Sequence, residues 1–252
     1  MPSTEPLLPR RAWLPAAVTA ANIAAGFIAM LAASADRFEI AVYLLLLAIL
    51  LDMMDGRVAR RLRATSAFGQ QLDSFSDALS FGAAPAFLVY ASCLQRLGAL
   101  GVSASLLYVL AGVFRLARFN LFSDAHDKPA RTLGVPIPIG AGYLMVLVLM
   151  RDAIPAAAAA VVVVLMAGGM GSRWRLPDLK GKNAVSAMLL VGMLNYFAVV
   201  FHPGWATVIW WNGWNLVILI AAQIQNRRWL ARDLGAEAPE HALESVREAL
   251  DP

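Results

Sequence analysis

Between positions 52 and 77 the chain carries four aspartates in two pairs, Asp52 with Asp55 and Asp73 with Asp77. The first pair is spaced by three residues and the second by four, so on helices each pair shares one face. Two such helices facing each other bring four carboxylates together. At membrane depth each ionised carboxylate is costly to desolvate and repels its neighbours, so something positive must sit among them. Hard oxygen ligands without His or Cys select Mg²⁺ or Mn²⁺. Two ions bridged by shared carboxylates suit phosphoryl chemistry, because they hold the attacking and leaving oxygens of an in-line displacement.

The residues around the acids point the same way. Gly56 follows Asp55 directly and costs helix stability relative to Ala, so its presence implies a close approach to the backbone. Gly69, Ala59 and the small residues Ser74, Ser76 and Ala78 have the same effect. Arg60, one turn beyond Gly56, is placed to grip a phosphate. A plainer reading has Arg57, Arg60, Arg61 and Arg63 neutralising the acids in a salt-bridge network. It leaves unexplained why both pairs fall at helical spacing and why a glycine accompanies each.

The elements that must hold these groups are membrane helices. Of 252 residues, 60% are hydrophobic and only 15% charged, where soluble domains carry about 25% charged residues. Eight spans are expected, near 14–35, 38–60, 70–92, 97–119, 133–150, 153–171, 184–202 and 205–223, giving an all-α integral membrane protein. The second and third carry the acids and are read as interior helices. The first apolar run, 22 residues from Leu14 to Ala35, exceeds the roughly 7 to 15 residues of a signal h-region. It reads as a span.

The net charge of +4 invites a nucleic-acid reading, which the placement of the basic residues excludes. They sit at the ends of apolar segments, with no basic groove interleaved with aromatics. With the N-terminus inside, 18 of the 21 Lys and Arg residues fall on the cytoplasmic side, leaving Arg37, Arg96 and Arg151 outside. That asymmetry supports the orientation and an even number of spans. Cys93 is alone, so it forms no disulfide within the chain and reads as a packing residue. His126, His202 and His241 show no ligand spacing, which argues against zinc. Trp205, Trp210, Trp211 and Trp214 read as an interfacial anchor, and the polar tail from Gln225, with a possible amphipathic helix over Glu240–Leu250, is assigned no chemistry.

The segment from Asp52 to Asp77 resembles the signature of the CDP-alcohol phosphatidyltransferases, D-x-x-D-G-x-x-A-R-x(8)-G-x-x-x-D-x-x-x-D, complete at Asp52, Asp55, Gly56, Ala59, Arg60, Gly69, Asp73 and Asp77. The resemblance implies one metal held by Asp52, Asp55 and Asp73, a second by Asp52, Asp73 and Asp77, and Asp77 as general base. Gly56, Ala59, Arg60, Ser66 and Gly69 are then the contacts to the CDP-lipid. It also implies a six-helix core, a homodimer, and an active site opening to the cytoplasm from the cell (inner) membrane.

Further stretches resemble the phosphatidylserine synthases of that family: S-F-G-A-A-P-A from Ser80, R-L-A-R-F-N from Arg115, G-V-P-I-P from Gly134, S-R-W-R-L-P-D-L-K from Ser172, and T-A-A-N-I-A-A-G from Thr19. Two positions depart from the usual pattern: Ala16 stands where Asn is usual, and Val135 where Leu is usual. The resemblance implies transfer of a phosphatidyl group from CDP-diacylglycerol to L-serine, with Arg115, Arg118 and Asn120 as candidates for binding serine through its carboxylate. Alternatives are another acceptor, namely glycerol 3-phosphate, inositol phosphate or choline, or, from a different class, a cation transporter. The expected organisation is a cytoplasmic segment 1–13, a catalytic membrane core 14–183, two added spans 184–223 and a cytoplasmic tail 224–252. Partners are the two substrates and membrane lipids.

Overall fold

The computed structural model describes residues 13–62, 64, 66–123, 134–172 and 182–236. Every regular element among them is helical. The order is α1 (Trp13–Ser34), α2 (Phe38–Leu62), α3 (Ala67–Asp77), α4 (Ala84–Val89), α5 (Ala99–Ser123), α6 (Ile137–Leu149), α7 (Ala156–Gly171), α8 (Lys182–Phe201) and α9 (Trp205–Ala236). α3 and α4 belong to one rod, joined by a π-helical turn at Ala78–Ala83 and prolonged by a second π turn at Tyr90–Leu94 and a 3₁₀ turn at Gln95–Leu97. Counted as rods, the described residues hold eight helices. Lys128, Arg131, most of the Ser172–Lys180 stretch and Glu240–Leu250 lie outside the described residues.

This is an all-α membrane protein. Three rods, Trp13–Ser34, Phe68–Leu97 and Ala99–Leu121, are long and apolar enough to cross a bilayer, and Ile137–Leu149, Ala156–Gly171, Leu190–Phe201 and Trp205–Ala221 are shorter apolar helices. The exposed surface is apolar: Phe27, Ile28 and Leu31 of α1 and Ile40, Tyr43 and Leu47 of α2 all face outward. Inside, Ala29, Ala41 and Ala48 are fully buried beside Val42 and Leu45. Small side chains at helix contacts let backbones approach closely where no hydrophobic force separates helix from lipid. At Gly26 of α1 that approach is tight, since a Cβ there would meet Ser80 Oγ at 2.5 Å and Ser80 Cα at 2.9 Å.

Gly134, which leads into α6, sits at φ +74°. Its missing side chain faces the end of α7, where a Cβ would stand 2.6 Å from Met170 O. The neighbouring Val135 N–H donates to Gly169 O at 3.0 Å, fastening the start of α6 to the end of α7.

The chain forms two compact units, Met1–Leu176 with Val200–Gly204, and Pro177–Val199 with Trp205–Pro252. Within the second, Trp210 Nε1 donates to Asn195 Oδ1 at 3.2 Å, and Tyr196 packs on Trp211 with ring centres 5.4 Å apart. The main departure from the expected spans is α9, which continues to Ala236 rather than ending near 223. From Gln223 to Ala236 it is rich in Gln, Arg, Leu and Ala, good helix formers, and has no proline, so the backbone stays helical after the apolar stretch ends.

Candidate functional site

Two stripes of side chains build the site. On α2, Asp52, Asp55, Gly56 and Ala59 recur at the three- and four-residue steps of one helix face, and on α3 Gly69, Gln70, Asp73 and Asp77 do the same. Helix α3 begins sharply because Ser66, in an extended conformation, caps it and accepts the Gly69 N–H at 3.0 Å. The first helix supplies a third wall through Pro15, Ala16 and Thr19. Together these residues, with Arg60, Ala64 and Ser66, line a cavity of about 620 Å³.

At its centre one carboxylate oxygen from each of Asp52, Asp55 and Asp73 lies within 4.8 Å of the others. Asp77 lines the same cavity as Asp52, Asp55 and Asp73. Its Oδ1 is buried and receives no hydrogen bond. Among the described residues none of the four is seen in an ion pair with Lys or Arg; Arg151 pairs instead with Glu39 at 2.8 Å, at the opposite end of α2 from the acids. Arg57 instead donates to the Met53 carbonyl at 3.0 Å. The salt-bridge network is therefore not the arrangement the described residues adopt. Carboxylates this close could hold a cation, and an all-oxygen donor set with an unpartnered buried Asp77 Oδ1 fits a hard divalent ion.

The five residues expected to contact the CDP-lipid all line this cavity. A Cβ added to Gly56 would project toward the Arg60 guanidinium, 3.5 Å from Nη1, and would meet no nearer atom. Nothing in the protein requires glycine there; what it keeps open is the space beside Arg60. Ser66 spends its oxygen on the α3 cap and keeps its hydroxyl proton to donate. The N-terminus of α3 adds its own partial positive charge and free N–H groups, a setting that favours phosphate.

The three residues considered for serine separate. Arg115 is buried, its Nε has no hydrogen-bond partner, and it lies within electrostatic reach of Asp77. Arg118 donates from Nη2 to Met170 O at 3.3 Å and Ser172 O at 3.2 Å, at the C-terminal end of α7. There a cation satisfies carbonyls that lack helical partners. Asn120 donates to Ser74 Oγ at 3.0 Å, tying α5 to α3. None of the three lines the acidic cavity itself.

The family model for CDP-alcohol phosphatidyltransferase matches residues 12–170, more than half of the chain and all of the acidic cavity. The chain belongs to the CDP-alcohol phosphatidyltransferase family. Within it, the chain is 38% identical over 132 residues to a Helicobacter pylori protein named CDP-diacylglycerol–serine O-phosphatidyltransferase, covering 52% of this chain and 55% of that protein. It thus spans about half the length of that relative. A Mycobacterium leprae protein of the same name is 34% identical over 231 residues, covering 86% of this chain and 76% of its own length. One from Mycobacterium tuberculosis (strain ATCC 25618 / H37Rv) is 38% identical over 239 residues, covering 87% and 80%.

In this CDP-alcohol phosphatidyltransferase the side chains that line the site without having been expected there come from α1. Pro15, Ala16 and Thr19 line the cavity, and Thr19 Oγ1 reaches Asp55 Oδ2 at 2.8 Å. Three residues on, Asn22 is fully buried with neither side-chain amide atom paired, and its carbonyl accepts the Ser80 hydroxyl at 3.1 Å. The available signal was the occurrence of Thr and Asn in an otherwise apolar span, where polar groups mark functional interior faces.

Proposed function

We propose that the chain is a phosphatidylserine synthase, transferring the phosphatidyl group of CDP-diacylglycerol to L-serine with release of CMP. The observation that carries this reading is the convergence of Asp52, Asp55 and Asp73 within 4.8 Å, with Asp77, Gly56, Arg60 and Ser66 around the same cavity. The names of the three relatives supply the acceptor.

In this reading Asp52, Asp55 and Asp73 would hold one divalent ion and Asp52, Asp73 and Asp77 a second, Mg²⁺ or Mn²⁺. Bound there, such ions supply positive charge for the pyrophosphate and its departing oxygen. Arg60, Ser66 and the α3 N-terminus bind phosphate oxygens of the CDP moiety, while Gly56 and Ala59 leave room for it. Asp77, buried and without a donor on Oδ1, accepts the serine hydroxyl proton. The serine oxygen forms its bond to the β-phosphorus as the bond from that phosphorus to the bridging oxygen breaks, and the electron pair leaves with CMP.

Arg115 takes the serine carboxylate: a guanidinium offers it a two-pronged grip, and this one is buried with its Nε free of any hydrogen-bond partner. Arg118 and Asn120 brace that region through α7 and α3. A phosphorylated acceptor would draw on the same basic residues, so the preference for serine over glycerol 3-phosphate or inositol phosphate rests on the names of the relatives.

The proposed protein is a homodimer of the cell (inner) membrane with its site toward the cytoplasm, consistent with the distribution of Lys and Arg. Its catalytic core is 14–183, with segment 1–13 and tail 224–252 inside and two added spans at 184–223. The test supplies membranes containing the protein with CDP-diacylglycerol, Mn²⁺ and, in parallel, serine, glycerol 3-phosphate, inositol phosphate or choline. CMP release that requires serine and vanishes in Asp77→Asn is the expected result. Release driven by another acceptor reassigns the substrate, and absence of release with all four overturns the reading.

A further inference from the structure

Thr19 is the side chain of α1 that reaches into the acid cluster. It and Asp55 are each 5% exposed, so the contact between them is shielded from solvent. The hydroxyl carries one proton and has two acceptors in range, Pro15 O at 3.1 Å and Asp55 Oδ2 at 2.8 Å. A carboxylate is the stronger acceptor and here the nearer one, so the proton goes to Asp55. Because threonine is branched at Cβ, few χ1 rotamers are open to it in a helix, and the direction of that donor is set by the α1 backbone rather than by a mobile side chain.

Asp55 needs such a restraint. Asp52 and Asp73 stand within 4.8 Å of it through their own oxygens, and before any cation arrives their charges push it away. A carboxylate terminal torsion is soft, so without a fixed donor Asp55 would turn out of the cluster. We propose that Thr19 is a positioning residue for Asp55, holding that carboxylate in the orientation that completes the cation site and thereby setting divalent-ion affinity without touching substrate. The proposal rests on the reading of the acids as a cation site. The competing role, a hydroxyl merely bonded back to the carbonyl four residues earlier as threonines in helices often are, leaves ion binding unaffected.

The experiment is a Mn²⁺ titration of purified protein in lipid nanodiscs, followed by electron paramagnetic resonance with no substrate present. It compares wild type, Thr19→Val, Thr19→Ala, Thr19→Ser and Asp52→Asn. Loss of a group that orients a metal ligand costs about 10- to 100-fold in affinity. Thr19→Val and Thr19→Ala are therefore expected to weaken Mn²⁺ binding at least about 10-fold, with Thr19→Ser within about 3-fold of wild type. At saturating Mn²⁺, CMP release by Thr19→Val should return to within about 3-fold of wild type, because the ligands themselves remain. The alanine variant carries the comparison should the valine variant fail to fold. Wild-type affinity in both, alongside weakened binding in Asp52→Asn, overturns the role of Thr19 alone. Mn²⁺ binding indifferent to Asp52→Asn as well overturns the cation-site reading together with it.

Discussion

Asn120 of α5 donates its side-chain amide to Ser74 Oγ of α3 at 3.0 Å, and the same hydroxyl in turn donates to the Gln70 carbonyl at 3.1 Å. The bond clips α5 beside the turn of α3 that carries Asp73 and Asp77. Asn120→Ala is expected to lower stability by about 1 kcal/mol, the usual net worth of one such bond. Because Asn120 braces helices, KM for serine and for the CDP-lipid should change together, by a factor of about 3 or less, in steady-state assays on material matched for folded fraction.

Arg115 and Arg118 should part company. Arg115→Gln is expected to raise KM for serine by at least about 10-fold, the loss of a charge-assisted pair, while leaving KM for CDP-diacylglycerol within about 3-fold. Arg118→Gln should instead lower Tm, since two carbonyls at the end of α7 lose their donor, with serine and lipid constants moving in parallel. Equal and selective effects of both variants on serine would refute the division.

Removing one acid should have opposite consequences for catalysis and for the empty fold. Asp52→Asn deletes a charge that its neighbours repel, so in EDTA the variant is expected to melt at or above the wild-type temperature even as CMP release falls below detection. Mn²⁺ at about 100 times its dissociation constant should stabilise the wild type by about 2.7 kcal/mol and leave Asp52→Asn unmoved. Thermal melts with and without the ion read both halves.

Gly56→Ala tests the cavity as a cradle. A Cβ there meets nothing closer than Arg60 Nη1 at 3.5 Å, and alanine favours a helix by roughly 0.5 to 1 kcal/mol over glycine. The variant should therefore fold at least as well as wild type but bind the CDP-lipid more weakly. A rise in KM for CDP-diacylglycerol with KM for serine unchanged is the expected signature, and an unaltered lipid KM would show that the space beside Arg60 is not used.

Much of the candidate site was legible in the sequence. Asp52, Asp55, Asp73 and Asp77 announce themselves because four acids in apolar helices need a common explanation and helical spacing brings each pair to one face. The number of helical rods followed from hydropathy, which the lipid-facing side chains must obey. The contribution of α1 was hidden for the same reason: Thr19 and Asn22 sit in a span that is apolar on average, and an average does not say which way a side chain points. The employment of Arg118 and Asn120 was hidden because their partners, Ser172 and Ser74, are distant in sequence. Nothing in residue type distinguishes a cation that caps a neighbouring helix from one that waits for a carboxylate.

The π-helical turn at Ala78–Ala83 makes length, as well as composition, a condition of the site. An α-helix advances about 100° per residue, and a π turn absorbs an extra residue without ending the rod. Inserting a further residue there would preserve every carboxylate, glycine and arginine named above, yet swing Asp73 and Asp77 about a quarter of a revolution relative to the buried face that begins at Ala84 and Pro85, because the wide turn has already taken up its extra residue. Chains descended from this one should therefore tolerate many exchanges between Asp77 and Pro85 but almost no further insertion.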